Sequence, residues 1–507
     1  MTQLTGSGQA IPLGNNYRIR APGVTGTANV SLRRSTSGVT RSITTASEGE
    51  ALDRALASQE MEDVATIDVT IERQVAPPPG AQLRGPNGDD ALELEVPAPP
   101  PGFDTMVLAV DESGAITWNL PVTDDNQIAT PATRGAGASV YFRIPSTPAV
   151  TPKAGTQGTR SLFGTIGKKV LKVLIYPITD RLVGPLVDMF AGKWEAKNRP
   201  YRLRTVTSDN YQAADVVDLD LNSNEWGRLS GGRSLLFVHG TTSSTHSAFS
   251  GLTKETVDAL SQAYSGRLFG FDHFTLSHSP QLNAQVLAQR LPAGITLNAD
   301  IVCHSRGGLV AREIVERNTR NGLQNRLNVG EVVFVGVPNA GTALAEPDHM
   351  IHMIDRLTTA LNFLPDGPAT WILEGIITAV KVIGHGGLKS LDGLAAMNPK
   401  GTYLASLGAE PRSNARYRGI AADFNAQGTV FDRLSLKSIG GMVVDRIFDK
   451  EANDLVVPTA GVSKAMGGGF PILPTEVLSL AAKSGVTHTT YFSNPQVQEQ
   501  LRAWLVG

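Results

Sequence analysis

The sequence has little cysteine and little net charge. A single cysteine among 507 residues excludes an intrachain disulfide and a zinc cluster built on cysteines. Lys and Arg number 45 against 47 Asp and Glu, and the resulting formal net charge of −2 argues against a surface dedicated to nucleic acid. The hydrophobic fraction of 41% is instead typical of a soluble globular protein with a sizeable core.

Long hydrophobic runs free of charge are also missing. The two best candidates for a membrane span, Leu171–Phe190 and Trp371–Leu388, carry charged residues at depths where a bilayer disfavours them. The first 16 residues have neither the basic segment nor the apolar segment of a signal peptide. We therefore expect a cytoplasmic protein without a transmembrane segment.

The first 200 residues contain no motif with identifiable chemistry. Residues 1–45 are rich in Gly, Ser and Thr without a sustained period, which predicts a flexible arm. Residues 46–150 combine one helical pattern, Glu48–Gln59, with short alternating runs, so they predict a small, mostly β domain of unknown role. Two of these runs, Thr105–Val110 and Ala115–Leu120, are joined by a turn segment and predict a hairpin. For residues 151–200 we expect a Pro/Gly/Thr-rich linker and an amphipathic helical segment within Leu162–Trp194.

Residues 201–507 show a different pattern, in which short apolar runs alternate with helical periods. Unbroken apolar runs are typical of strands that are buried on both faces of a sheet. Their alternation with helices predicts βαβ units and a parallel sheet. The expected strands are Ser234–Val238, Arg267–Phe271, Ala299–Cys303, Glu331–Val337 and Tyr417–Ala422, and two of the expected helices are Leu282–Leu291 and Leu309–Asn318.

A serine lies where the third of these strands passes directly into a helical pattern. At such a junction Ser305 would occupy a tight, strained turn that exposes its hydroxyl above the sheet edge. Gly307 provides the small residue needed two positions after the serine, and Cys303 takes the position two before it, where glycine is usual. The segment predicts a nucleophile, with an ordinary strand-to-helix turn as the alternative interpretation.

A serine hydroxyl is a weak nucleophile and needs a histidine base that is itself oriented by a carboxylate. His488 lies in a polar loop before the closing helical pattern, Val497–Leu505, and is the predicted base. Several downstream aspartates could supply the carboxylate. They are Asp423, Asp445, Asp449 and Asp454.

Catalysis by a serine also needs hydrogen-bond donors for the oxyanion. The strand Ser234–Val238 ends in His239 and Gly240, and the glycine lets the backbone approach an acyl oxygen. We expect the donors to be the backbone N–H groups of Thr241 and Arg306, with Thr242 as the alternative to Thr241. The side chains of these residues are not implicated.

Together these segments resemble the α/β-hydrolase superfamily, in its lipase-like serine-esterase branch. The resemblance covers roughly residues 200–507 and leaves the first 150 residues outside. The segments that carry it are 237–241, 271–276, 303–308, 335–342, 453–458 and His488.

The resemblance implies an α/β-hydrolase fold with a mostly parallel central sheet and a helical cap inserted at about residues 343–412. The cap would consist of Met350–Leu364 and Trp371–Val382, for which packing against the sheet is an equal alternative. The resemblance favours Asp454 as the acid, because the residues after it match the family pattern. It thus implies a catalytic triad of Ser305, Asp454 and His488, without a metal or an organic cofactor.

Other reactive side chains in this half have plainer interpretations. His239 and His304 flank the motifs and are expected to hold them by hydrogen bonds. Cys303 is expected to be a small buried residue and not a nucleophile. Five further histidines have no partner visible in the sequence and are expected to be satisfied or exposed: His273, His278, His349, His352 and His385.

We therefore expect a serine hydrolase that cleaves carboxylic esters of small-molecule or lipid-like substrates through an acyl-enzyme on Ser305. The motifs do not separate this activity from that of a thioesterase, an amidase or an acyltransferase with the same triad. A hypothesis of another class is an interaction scaffold, in which the N-terminal β region recruits a protein partner. The complete Ser/Asp/His set argues against the loss of catalysis.

Overall fold

The computed structural model describes residues 1–32, 46–74, 76–85, 90–111, 115–123, 129, 139–146, 167–178, 187–361, 364, 366–388, 391–409, 413–424, 451–465 and 472–507. These residues form two compact units. The described residues of unit 1 fall within Met1–Val187 and Val380–Gly387, and those of unit 2 fall within Asp188–Ala379, Leu388–Asn425 and Asp445–Gly507.

Unit 1 is built from two antiparallel sheets. Its described strands are β1 Thr2–Thr5, β2 Ala10–Gly14, β3 Tyr17–Arg20, β4 Val24–Leu32, β5 Glu62–Gln74, β6 Ala91–Pro97, β7 Phe103–Asp111, β8 Ile116–Asn119, β9 Pro121–Val122, β10 Ser139–Pro145 and β11 Gly167–Pro177. One sheet has the order β1-β4-β5-β11-β7-β8, and the other has the order β2-β3-β6-β10-β9.

The two sheets share one hydrophobic core. In β5 the side chains of Ala65, Ile67, Val69 and Ile71 are buried, so every second residue faces inward, as a pleated strand requires. Ile67 belongs to the same buried cluster as Leu94 of β6, which lies in the other sheet. Apolar faces of both sheets therefore pack against each other.

Strands β1 to β4 correct the prediction of a flexible arm over residues 1–45. Most of residues 2–32 lie in these strands, and residues 33–45 lie outside the described part of the chain. The glycines that suggested flexibility occupy turns: Gly14 has a φ of 96° and Gly23 a φ of 72°. Only glycine adopts such angles readily, so its abundance here reflects tight turns between strands.

The segment Leu162–Trp194 was predicted to be helical, and this is wrong for its middle. Gly167–Pro177 forms β11, which pairs with both β5 and β7. A short apolar run fits a buried strand or a buried helix equally well. In β11 the Val and Ile residues and the pairing with two neighbouring strands favour the strand. Helix α2, Val187–Asn198, retains the end of the predicted segment.

Two local predictions for unit 1 are confirmed. The helical pattern Glu48–Gln59 corresponds to α1, Ala46–Ser58. Strands β7 and β8 pair in antiparallel fashion, with Val110 opposite Ile116, as the predicted hairpin requires.

Unit 2 contains a seven-stranded sheet among its described residues. Its strands are β12 Arg202–Thr205, β13 Arg233–Val238, β14 Leu268–Asp272, β15 Leu297–His304, β16 Leu327–Val335, β17 Arg416–Ala422 and β18 Val477–Leu480, in the order β12-β14-β13-β15-β16-β17-β18. β12 pairs antiparallel with β14, and every other neighbouring pair is parallel. The five predicted strands are present, whereas the two short edge strands β12 and β18 were missed.

Helices connect these strands. They are α3 Glu225–Ser230, α4 Thr245–Ala248, α5 Lys254–Ala263, α6 Pro280–Arg290, α7 Gly307–Glu316, α8 Met350–Ala360, α9 Asp366–Gly384, α10 Asp392–Ala395, α11 Thr402–Gly408 and α12 Pro495–Leu505, with 3-10 turns at Ala343–Ala345, Pro347–His349, Thr459–Val462, Pro474–Glu476, Ala482–Ser484 and Tyr491–Ser493. Helices α8 to α11 lie between β16 and β17 in the chain, so the predicted helical insertion at 343–412 is present; its role as a cap stays a prediction.

The connections of the sheet change direction between β13 and β15. After β13 the chain forms β14 on one side of it and then returns to form β15 on the other side. Loops that leave β13 and β15 therefore run in opposite directions, and ligands of open parallel sheets bind at such a switch point. The predicted oxyanion segment follows β13, and Ser305 follows β15.

Helix α6 offers a matched test of the packing in unit 2. Leu287 is fully buried, whereas Leu282 on the same helix is 37% exposed. We expect Leu287→Ala to lower the free energy of unfolding by about 2–5 kcal/mol, because the deletion leaves a cavity. Leu282→Ala should change it by less than about 0.5 kcal/mol. Urea unfolding followed by circular dichroism measures both, and equal losses would contradict this packing.

Candidate active site

Ser305 lies in the turn between β15 and α7 with a left-handed backbone conformation. Its φ is 54°, which is unfavourable for a residue that has a side chain. The Ser305 N–H donates to the Val335 carbonyl at 3.0 Å. This bond to the end of β16 holds the strained residue in place.

Two glycines after Ser305 permit a close approach of helix and sheet. A Cβ at Gly307 would lie 2.3 Å from the His239 carbonyl oxygen, and a Cβ at Gly308 would lie 2.2 Å from a methyl carbon of Val337. Both distances are far inside van der Waals contact. Helix α7 can therefore begin at this point only with glycines in its first turn.

The Ser305 hydroxyl contacts His488, which in turn contacts Asp454. Ser305 Oγ lies 2.8 Å from His488 Nε2, and His488 Nδ1 lies 2.8 Å from Asp454 Oδ2. The three residues follow β15, β17 and β18, whose carboxyl ends share one edge of the sheet. The structure thus brings together the three side chains that the sequence analysis grouped as a triad.

The Asp454 carboxylate is buried and fully occupied by donors. Oδ1 accepts the N–H groups of Val456 at 3.0 Å and Val457 at 2.8 Å, and Oδ2 also accepts the Tyr491 hydroxyl at 2.9 Å. Burial by itself raises the pKa of Asp454, but the neighbouring His488 and the hydrogen bonds outweigh it and lower the pKa below its usual value.

This arrangement selects one tautomer of His488. An ionised carboxylate only accepts hydrogen bonds, so Nδ1 carries the proton and donates it to Asp454 in a hydrogen bond, and the lone pair of Nε2 is directed at the Ser305 hydroxyl. In this form the imidazole can accept the hydroxyl proton. The backbone fixes the loop further, because the His488 N–H donates to the Asp454 carbonyl at 2.9 Å.

The other aspartates considered for the acid are not part of this arrangement as far as the chain is described. Asp423 directly follows β17, and its backbone N–H donates to the Leu480 carbonyl. Among the described residues, Asp454 is the carboxylate hydrogen-bonded to His488. Asp445 and Asp449 lie outside the described residues.

The loop after β13 passes directly over Ser305. A Cβ at Gly240 would lie 2.6 Å from Ser305 Cβ and 3.2 Å from its Oγ. The Thr242 N–H already donates to Thr275 Oγ1 at 3.0 Å, which favours Thr241 over Thr242 as a donor to substrate. Within the part of the chain that the structure describes, the backbone N–H groups of Thr241 and Arg306 have no acceptor.

His304 and His239 hold the loops around Ser305. His304 Nε2 donates to the His488 carbonyl at 2.9 Å, and His239 Nε2 accepts the His273 N–H at 3.1 Å. Burial lowers the pKa of His304 to about 3, with a contribution from His488, and lowers the pKa of His239 to about 4. Both rings are therefore neutral at neutral pH and serve as hydrogen-bonding groups.

Cys303 is a small buried residue, as predicted. Its thiol lies 3.4 Å from the Val333 carbonyl, between β15 and β16. Burial raises the pKa of the thiol well above its usual value, so it is not a nucleophile at neutral pH.

The other histidines also have partners. His278 Nδ1 lies 2.7 Å from the Tyr201 hydroxyl. Three others lie near backbone carbonyl oxygens through Nδ1: His273 with Phe271 at 3.1 Å, His349 with Ala343 at 3.1 Å and His385 with Lys381 at 2.8 Å. His352 Nδ1 lies 3.9 Å from Asp355 Oδ2.

Some residues that support the site had no predicted role. Tyr491 lies three positions after His488, and this proximity was the available signal. Thr275 lies in the segment 271–276 that carries the resemblance, but no role was assigned to it. Glu195 gave no signal, because its Oε1 accepts the Thr275 N–H at 2.5 Å across 80 residues of chain. Arg199 was also missed; it donates to the Thr242 carbonyl at 2.6 Å.

Two further properties concern ligands and membranes. Among the described residues, no three His, Cys, Asp or Glu side chains come together as a group that could hold a metal ion. Of the helices that are described, none is long and apolar enough to cross a membrane.

The buried histidines predict a loss of stability in acid. The unfolded chain binds a proton at His304 near its ordinary pKa of 6.5, whereas the folded chain binds it only near 3. The contribution of neutral His304 to the free energy of unfolding is therefore fully present above about pH 6.5, and it is lost progressively as the pH is lowered towards 3. His304→Gln should flatten the dependence between pH 6 and 4 by about 1.4 kcal/mol per pH unit. Urea unfolding across this range tests it, and parallel curves for the two proteins would contradict it.

Several solved structures are similar to this chain at low identity. The mature lipase BlEst2 of Bacillus licheniformis is 17% identical, with 54% of this chain and 91% of that chain covered and a TM-score of 0.32. EstA from Clostridium botulinum is 13% identical, with 54% and 87% covered and a TM-score of 0.34. Lipase 1 from Pelosinus fermentans is 13% identical, with 53% and 98% covered and a TM-score of 0.33. No curated protein matches the chain.

A protein family matches at the level of the sequence. Residues 198–506 match the family described as a domain of unknown function, DUF7379. The matched range contains all seven strands of the parallel-sheet unit as well as Ser305, Asp454 and His488. The chain therefore belongs to the DUF7379 family of domains of unknown function.

Proposed function

We propose that unit 2 is the catalytic domain of a serine hydrolase with an α/β-hydrolase fold, which cleaves carboxylic esters. The observation that carries this proposal is the continuous hydrogen-bonded path from Ser305 Oγ through His488 to the buried Asp454. A strained serine beside an imidazole that is itself oriented by a carboxylate is the arrangement that activates a hydroxyl for acyl transfer.

In the first half of the reaction, Ser305 Oγ attacks the acyl carbon of the ester while His488 Nε2 takes the hydroxyl proton. The resulting imidazolium is stabilised by Asp454, which accepts its Nδ1–H. The oxyanion accepts hydrogen bonds from the Thr241 and Arg306 N–H groups. Collapse of this intermediate breaks the ester bond, and His488 gives its proton to the departing alcohol.

In the second half, water replaces the alcohol. His488 Nε2 takes a proton from water, and the hydroxide attacks the acyl carbon of the Ser305 ester. The same two N–H groups hold the second oxyanion. Its collapse releases a carboxylic acid and returns the proton to Ser305 Oγ, so the enzyme is regenerated without a redox step.

Replacing the nucleophile tests the proposal. Ser305→Ala should reduce the hydrolysis of p-nitrophenyl esters by about 10³-fold or more, because the covalent step is lost. Ser261→Ala, on helix α5 and away from the site, is the control and should retain the native rate. The rate is measured across acyl chain lengths, with thioester and amide analogues in parallel.

Each outcome of this assay has a definite meaning. Survival of activity in Ser305→Ala would exclude Ser305 as the nucleophile. Serine-dependent cleavage of the thioester or amide alone would replace the ester by that substrate class. The acyl length with the highest kcat/KM distinguishes small-molecule from lipid-like substrates.

A second pair of variants tests the acid. Asp454→Asn should lower kcat by roughly 10³–10⁴-fold, because a carboxamide that donates to Nδ1 leaves Nε2 protonated and unable to act as a base. Asp423→Asn, at the other described candidate, should leave kcat within about twofold. The opposite result would assign the orienting carboxylate to Asp423. Thermal unfolding of both variants separates a catalytic loss from a folding defect.

A further inference from the structure

The conformation of Thr242 needs support from outside its own loop. Thr242 has a φ of 54°, in the left-handed region that residues with a side chain rarely adopt, and it is buried. Such a conformation persists only where surrounding groups determine it. It also matters for the site, because Thr242 directly follows Thr241, whose N–H group is the proposed oxyanion donor.

Hydrogen bonds hold Thr242 on both sides. Its N–H donates to Thr275 Oγ1 at 3.0 Å, and its carbonyl accepts a hydrogen bond from Arg199 Nη1 at 2.6 Å. A small residue completes the contact, since a Cβ at Gly375 would lie 3.0 Å from Thr242 Cβ. The Thr242 N–H is thereby occupied, and the neighbouring Thr241 N–H is left without a protein acceptor among the described residues.

Glu195 fixes the segment that contains Thr275. Its Oε1 accepts the N–H groups of Thr275 at 2.5 Å and Leu276 at 2.9 Å, and its Oε2 accepts the N–H of Ser277 at 3.0 Å and its hydroxyl at 2.6 Å. Glu195 is only 1% exposed. A carboxylate buried to this extent is stable only with such a set of donors.

The Thr275 hydroxyl connects the two sets of bonds. Thr275 Oγ1 also lies 3.5 Å from Glu195 Oε1, so its proton is directed to the carboxylate and a lone pair faces the Thr242 N–H. The bonds form one path, from Glu195 through Thr275 to Thr242. Glu195 belongs to α2, and Arg199 is the first residue after this helix. The C-terminal end of α2 therefore supports both the N–H and the carbonyl of Thr242.

We infer that Glu195 and Thr275 are positioning residues that hold the oxyanion loop in its donating conformation, an inference that rests on the proposed serine hydrolase function. Neither residue touches the reacting atoms. Both act by fixing Thr242 so that the Thr241 N–H is directed at the oxyanion. Because the oxyanion exists only in the transition state and the tetrahedral intermediate, their loss should affect kcat and not KM.

The test compares two substitutions of the same residue. Thr275→Val keeps the shape but removes the hydroxyl that accepts the Thr242 N–H, and it should lower kcat on the best p-nitrophenyl ester by on the order of 10–100-fold, with KM changed less than about twofold. Thr275→Ser keeps the hydroxyl and should remain within about threefold of the native kcat. Thermal midpoints are measured for both variants.

Glu195→Gln tests the other end of the path. The carboxamide cannot accept all of the hydrogen bonds that the carboxylate accepts, so kcat should fall in the same direction. Combined with Thr275→Val, it should add little to the loss, because both substitutions break one path. Fully multiplicative effects would show that the two residues act independently and would overturn the inferred path.

A second readout keeps this inference separate from the proposed function. A fluorophosphonate that reacts with activated serines reports on Ser305 without any ester substrate, and mass spectrometry measures its rate of attachment. Native-like rates of attachment and ester cleavage in Thr275→Val, with Ser305→Ala inactive, would refute the positioning role alone. A native protein that reacts with neither reagent would refute both the serine hydrolase and the positioning path. Equal losses in Thr275→Val and Thr275→Ser would indicate a purely structural role.

Discussion

The close contact between the backbone at the Ser305 turn and the neighbouring loops constrains the rest of unit 2. Ser305 adopts a φ of 54°, and the first turn of α7 lies against the carbonyl oxygens of Val238 and His239 at the end of β13. Gly240, Gly307 and Gly308 are required at this contact, because a Cβ at any of them would overlap a neighbouring atom. The parallel pairing of β15 with β13 and β16 holds the strained turn, so the sheet provides the rigidity that an exposed loop would lack.

Buried polar groups surround this turn, and their hydrogen bonds decide their protonation. Asp454 is held ionised by His488 and by two backbone N–H groups in spite of its burial. Burial keeps His239 and His304 neutral. The same low-dielectric surroundings thus give the ionised Asp454 beside two uncharged imidazoles, because Asp454 has enough donors to compensate for its desolvation and the two imidazoles do not.

Local pattern was sufficient for some elements and misleading for others. The unbroken apolar runs of β13 and β15 predict buried parallel strands, and both are present. The prediction was wrong for residues 1–32, because a glycine in a turn and a glycine in a flexible chain cannot be distinguished by composition. It was also wrong for Gly167–Pro177, because the strands that pair with β11 come from distant parts of the sequence. Composition describes a segment but does not say which strands will pair with it.

The sequence by itself determined the alternating strands and helices of unit 2, the serine at a strand-to-helix turn and the histidine in the loop before the closing helix, because these depend on periodicity and on residue types at short spacing. Only the tertiary structure showed the contact between His488 and Asp454, the aspartate that the resemblance had favoured. It alone also revealed Glu195 and Thr275 behind the loop after β13. The contact between Glu195 and Thr275, 80 positions apart, follows from how strands and helices pack, and no local pattern records it.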